Sequence, residues 1–135
     1  MSEAFPLIPV HDLIGVCSKI AEHMASSAPD GRSVLIDAFA GAGGNAIAFA
    51  RSGKWKRIYA IEKNPSVLLC AKHNAKIYGV ADKITWFEGD CFEIIKNQLK
   101  DLAPYSVVFA SPPWGGRLAP TLIPATHFAC KSNSF

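Results

Sequence analysis

The chain has 135 residues, half of them hydrophobic and 19% charged, a size and balance that fit one packed domain and exclude a disordered tail. Its formal charge of +3 is compatible with a phosphate-bearing partner but lacks the strong basicity of a charge-driven nucleic-acid binder. Cys17, Cys70, Cys91 and Cys130 stand far apart, with no CxxC pair and no His at ligand spacing, so reduced thiols and no metal site are expected. No apolar run reaches the roughly 20 residues that span a bilayer. Glu3 and Pro6 stand where a signal peptide needs a basic start and a long apolar segment, so a soluble, non-secreted chain away from membranes is expected.

Residues 1–10 carry Pro6 and Pro9 and no period. Over residues 11–25, Leu13, Cys17, Ile20, Ala21 and Met24 recur at helical spacing and predict a helix with one apolar stripe. A turn-rich stretch follows, and then Val34-Leu35-Ile36 predicts a short buried strand ending in Asp37. Phe39-Ala40-Gly41-Ala42-Gly43-Gly44-Asn45 forms a glycine-rich turn into a short helix over 46–51. Glycines there let backbone approach a ligand and bare N–H groups at a helix start.

Arg57-Ile58-Tyr59-Ala60-Ile61 predicts a second strand, closing on Glu62 some 18 positions after Gly44. An acid at about that distance, on the second strand tip of a βαβ unit, is placed to hold ribose hydroxyls. Asn64 then caps a helix with Pro65 at its first position; Val67, Leu68, Ala71, Ala75 and Tyr78 line its inner face and Gly79 ends it, with His73 solvated. Residues 83–87 predict the third strand, followed by Glu88-Gly89-Asp90 and a helix over 91–102 that buries Phe92, Ile95 and Leu99. Asp90 suits an N-cap and a ligand contact equally, and one carboxylate can do both. Residues 106–110 predict the fourth strand, leading into Ser111-Pro112-Pro113-Trp114-Gly115-Gly116; residues beyond are irregular.

Strands alternating with helices predict a parallel α/β sheet with right-handed crossovers and order 3-2-1-4. Ligands of such sheets bind beyond the carboxyl ends of the strands, where Asp37, Glu62, Asp90 and Ser111 all fall. Two prolines make a rigid turn poor in N–H groups, its carbonyls facing outward beside an indole, which suits a flat ring bearing an amine.

The turn from Asp37 through Gly41, Gly43 and Gly44 lacks the third glycine of a dinucleotide site, since Ala46 stands there, and it has no Walker lysine. It resembles the glycine-rich loop of class I S-adenosylmethionine-dependent methyltransferases, a Rossmann-like fold. That resemblance implies cofactor contacts from Asp37, Ala38, Phe39, Gly41, Gly43 and Asn45, ribose contacts from Glu62 and an adenine-amine contact from Asp90. Ser111-Pro112-Pro113-Trp114 resembles the (Asp/Asn/Ser)-Pro-Pro-(aromatic) motif of methyltransferases that act on planar amines. Ser111 and Pro112 would accept hydrogen bonds from the amine, and Pro113 and Trp114 would hold the ring. Together with Asn74-Ala75-Lys76-Ile77-Tyr78-Gly79 and Lys19-Ile20-Ala21-Glu22-His23, these stretches resemble the trimethylguanosine synthase family, although residues 13–18 depart from its pattern.

The resemblance implies S-adenosyl-L-methionine as cofactor and methyl transfer to the exocyclic N2 amine of a 7-methylguanosine cap on small nuclear or nucleolar RNA. It also implies residence in the nucleus and nucleolus with a cytoplasmic pool. The expected layout is a lead-in and helix over 1–32, an S-adenosylmethionine-binding core over 33–116 and a tail over 117–135. The family's domain continues past the Gly-Gly, so a truncated core of about four strands is expected, its fourth strand a bare edge that recruits a protein partner. A methyltransferase acting on other RNA or DNA bases and a non-catalytic binding module also fit the residues.

Overall fold

The computed structural model describes residues 10–111, those over 10–17 as backbone alone. Its elements run α1 (Val10–Ser27), β1 (Val34–Asp37), α2 (Gly44–Arg51), β2 (Arg57–Glu62), α3 (Pro65–Ile77), β3 (Ile84–Glu88), α4 (Cys91–Gln98) and β4 (Ser106–Phe109). The strands form one parallel sheet of order β3-β2-β1-β4, as the alternation predicts.

Strand side chains alternate between faces, and each face has its own core. Leu35, Ile58, Ala60 and Ile84 pack with Ala21 of α1, Ile47 and Phe49 of α2 and Ala75 of α3, while Phe49 meets Phe109 edge-on at 5.2 Å between ring centroids. On the opposite face Val34, Ile36 and Ile61 pack with Cys91 and Ile94 of α4 and with Leu99. Burying each such large aliphatic side chain contributes about 1.5–3 kcal/mol. Two crossovers in one direction place α2 and α3 on one face; the return from β3 to β4 places α4 on the other.

Asn64 caps α3 as expected, its Oδ1 accepting from the amides of Ser66 (2.9 Å) and Val67 (3.2 Å). Asn64→Ala is expected to cost about 1 kcal/mol. A thermal melt followed by circular dichroism should show a midpoint lower by about 4–8 °C.

Four expectations need correction. Helix α4 ends at Gln98, and Lys100–Tyr105 forms a 3-10 helix containing Pro104, so the predicted helix to 102 is two elements. Proline lacks the N–H and crowds the preceding turn, and the tighter winding accommodates it. Phe92 is 73% exposed, because the inward face of α4 is set by Cys91 and Ile94, whose midline lies more than about a third of a turn away. Ile20 is 37% exposed, while its neighbour Ala21 enters the core and Met24 packs against it. His73 is half-buried where a solvated position is predicted, and the side chains of Leu13 and Cys17 lie outside the described residues. Among the described residues no helix is long and apolar enough to cross a membrane.

Candidate functional site

The sheet reverses its winding between β1 and β4, and the crevice beyond the carboxyl ends at such a reversal is where open α/β sheets take ligands. Asp37 closes β1 in register with Phe109 of β4. The Ala38 amide extends the pairing by donating to the Phe109 carbonyl at 3.0 Å, which puts half-buried Ser111 two residues further on at the same rim. Pro112, Pro113 and Trp114 lie outside the described residues.

Beside Asp37 the glycine-rich turn is held by backbone. The Ala40 amide donates to the Ile61 carbonyl (2.9 Å) and the Gly43 amide to the Ala40 carbonyl (3.0 Å), and Gly43 then accepts from Ile47 to open α2. Gly41 (φ 56°) and Gly43 (φ 91°) both occupy the left-handed region. They differ in surroundings. A Cβ on Gly41 would meet nothing within 4 Å, whereas one on Gly43 would press on Ala71 Cβ and Trp86 Cη2, each 3.2 Å away.

Glu62 reaches back across this turn. Its Oε2 accepts from the Gly41 amide at 2.8 Å and its Oε1 from the Asn64 amide at 2.9 Å, so one carboxylate ties the turn after β1 to the start of α3. Each oxygen keeps a second lone pair for a hydroxyl donor. Asp90 is an exposed residue that caps α4 through Oδ1, which accepts from Phe92 (2.9 Å) and Glu93 (3.2 Å); its Oδ2 takes no part in the cap. The cap and the ligand contact are therefore compatible in one side chain.

Asp37 is the unusual group. It is fully buried, its Oδ1 accepts one long bond from the Phe39 amide (3.3 Å), and Oδ2 has no partner. Burial, followed by the opposing Phe39 hydrogen bond and the raising influence of the Glu62 charge, leaves its pKa raised from 3.8 to about 7. Asn45 Oδ1, at the start of α2, is likewise buried without a donor. Two buried acceptors lacking donors, four residues before and four after a glycine whose missing side chain leaves open space, fit a ligand that carries an ammonium group. Ala38 is buried and Phe39 half-buried, packed toward the α4 face of the sheet.

The sequence reading missed Asn74. It is 2% exposed, and its Nδ2 donates to the Ala42 carbonyl at 3.0 Å. The available signal was a polar residue falling on the small-residue face Ala71-x-x-Asn74-Ala75.

The sequence model of RNA cap guanine-N2 methyltransferases matches residues 32–119 of the chain. The chain belongs to the RNA cap guanine-N2 methyltransferase family. Over 102 residues it is 41% identical to trimethylguanosine synthase of Schizosaccharomyces pombe, and over 97 residues 33% identical to that of Saccharomyces cerevisiae. The alignments take in 73% and 72% of this chain but only 41% and 30% of those relatives. Among solved structures, an RNA methyltransferase from Salinibacter ruber in complex with S-adenosyl-L-homocysteine matches with a TM-score of 0.50 and 26% identity, over 85% of this chain and 67% of that one. The architecture of this family member is that of S-adenosylmethionine-dependent methyltransferases, as the glycine-rich turn predicts.

Proposed function

We propose that the chain carries the cofactor half, and the amine-facing turn, of an enzyme that methylates the exocyclic N2 of a 7-methylguanosine RNA cap. The observation that supports the cofactor most directly is the pair of buried, unpartnered acceptors, Asp37 Oδ2 and Asn45 Oδ1, on residues that bracket open-faced Gly41 in the turn. Asp37 and Asn45, with the backbone at Ala38, Phe39, Gly41 and Gly43, would hold the amino-acid portion of S-adenosylmethionine. Glu62 would take the ribose hydroxyls, and Asp90 Oδ2 the adenine amine. When bound, the cofactor supplies an electrophilic methyl group on a sulfonium.

For the substrate, the reading rests on Ser111-Pro112-Pro113-Trp114-Gly115-Gly116, which falls within the residues that match the family. A guanine N2 amine is a weak nucleophile because its lone pair is delocalised into the ring. Hydrogen bonds from that amine to the Ser111 hydroxyl and the Pro112 carbonyl favour a more tetrahedral nitrogen and aim its lone pair, so the gain is chiefly orientation. The ring of 7-methylguanine is cationic, and stacking a cation on the Trp114 indole contributes roughly 0.5–2 kcal/mol. Pro113 would border the same ring. That substrate class implies a nuclear and nucleolar protein. Val108, 51% exposed on the last described strand, supports a further segment or protein partner along the β4 edge.

Calorimetry should show saturable binding of S-adenosylmethionine. Label from the cofactor methyl should pass to 7-methylguanosine-capped RNA and not to RNA capped with unmethylated guanosine, and free 7-methylguanosine nucleotide should compete. Equal labelling of the two RNAs, or indifference to the nucleotide, would move the assignment to another base methyltransferase.

A further inference from the structure

Helix α3 sends one polar side chain into the interior. Asn74 lies on the same face as Ala71 and Ala75, both fully buried, and these two small residues let the helix come close to the glycine-rich turn. The approach is tight, since a Cβ on Gly43 would stand 3.4 Å from the Ala71 Cα as well as 3.2 Å from its Cβ. Across this contact the Asn74 carboxamide donates to the Ala42 carbonyl at 3.0 Å, joining residues 32 positions apart. Ala42 sits between Gly41 and Gly43, so the bond is made to the middle of the turn.

A second side chain also holds the turn, Glu62 through the Gly41 amide. The two anchors are not equivalent. Glu62 is half-buried, and its carboxylate has acceptor capacity that hydroxyl donors would use. The Asn74 amide is enclosed behind the turn, where a ligand on the open face of Gly41 does not compete with it. A buried carbonyl deprived of its donor carries the full desolvation penalty, and the backbone bonds of the turn, made by the Ala40 and Gly43 amides, hold its two ends and not the Ala42 carbonyl.

We infer that Asn74 is a positioning residue of the cofactor site, fixing the Ala42 carbonyl and with it the turn over 41–43. This rests on the reading that the turn takes S-adenosylmethionine. Asn74 touches no ligand in this role; it acts through the backbone it holds.

The test uses the 135-residue chain, calorimetric titration with S-adenosylhomocysteine at several pH values, and two variants that keep the branching and heavy-atom number of the asparagine side chain. Asn74→Leu removes the donor. Asn74→Asp offers an acceptor to the Ala42 carbonyl when ionised and regains an O–H donor when protonated. Asn74→Leu is expected to weaken binding roughly tenfold, the scale of one buried hydrogen bond. Asn74→Asp should be weaker still at pH 8, its affinity relative to the unaltered chain recovering as the pH is lowered.

Lower melting temperatures with unchanged affinities would mark Asn74 as structural only and overturn the inference, as would a ratio that does not move with pH. If neither variant folds, hydrogen exchange in the unaltered chain decides. The Asn74 side-chain amide should exchange more slowly than that of exposed Asn97, and more slowly again on saturation with S-adenosylhomocysteine; no change on saturation would overturn the inference. Failure of the unaltered chain to bind would remove the cofactor reading itself, and the inference with it.

Discussion

Asp37→Asn is expected to make the ligand-free protein more stable at pH 8 and to weaken its binding of S-adenosylmethionine. The carboxyl is fully buried, one oxygen is unpartnered, and its pKa is raised from 3.8 to about 7. The folded chain therefore holds this proton more tightly than the unfolded chain does. Between pH 3.8 and about 7 the native state binds more protons, so stability falls as the pH rises through that window and levels off above it. At about 1.4 kcal/mol per tenfold change, the rise corresponds to a charge-burial cost of up to about 4 kcal/mol. An asparagine removes the charge but buries an amide, which returns about 1–3 kcal/mol of that gain. The expected net effect in thermal melts is a higher midpoint at pH 8 and none of the gain at pH 4. Binding should move the other way. A cationic ligand group paired with the Asp37 carboxylate is lost in the variant, and a charged hydrogen bond of about 2 kcal/mol corresponds to a roughly 30-fold weaker affinity at pH 8. In the unaltered chain the affinity should fall below about pH 7 as Asp37 protonates, with proton release on binding visible as a buffer-dependent heat. Equal affinity in the variant would remove Asp37 from the cofactor site.

Much of this architecture was legible because the apolar runs are short, separated by helical periods, and each closes on a polar residue. Val34-Leu35-Ile36-Asp37 and Arg57 through Glu62 fall where the sequence pattern puts them, and the order β3-β2-β1-β4 follows from crossover handedness. The cap at Asn64 was legible for a local reason: its partners are two and three residues away. What sequence reading could not reach are bonds across long separations. Glu62 meets the Gly41 amide 21 positions away, and Asn74 meets Ala42 at 32. Neither can be read from a residue and its near neighbours. The miss at Phe92 has the opposite origin, since a helix of eight residues followed by a 3-10 segment gives too few turns for the apolar period to fix its phase.

Gly41 and Gly43 should separate binding from folding when each is changed to alanine. Both residues have φ in the left-handed region, where a Cβ costs roughly 1–2 kcal/mol. For Gly41 the cost ends there, because the added methyl projects into open space. If that space receives the cofactor, Gly41→Ala should melt only several degrees lower yet bind S-adenosylmethionine at least tenfold more weakly, since a ligand seated against bare backbone is displaced by a side chain. Gly43→Ala adds a second cost. Its methyl would stand 3.2 Å from both Ala71 Cβ and Trp86 Cη2, and Ala71 belongs to a fully buried helix face that cannot move away without opening the core between α2 and α3. Overpacking of this kind costs about 1–3 kcal/mol beyond the backbone strain. The loss of about 2–5 kcal/mol is a large part of the stability of a domain this small. Gly43→Ala should therefore lose structure first and binding as a consequence, with the Trp86 environment changed in near-ultraviolet circular dichroism. If instead Gly41→Ala binds normally, the open face beside it is not the cofactor's seat. The unpartnered acceptors of Asp37 and Asn45 would then need a different donor.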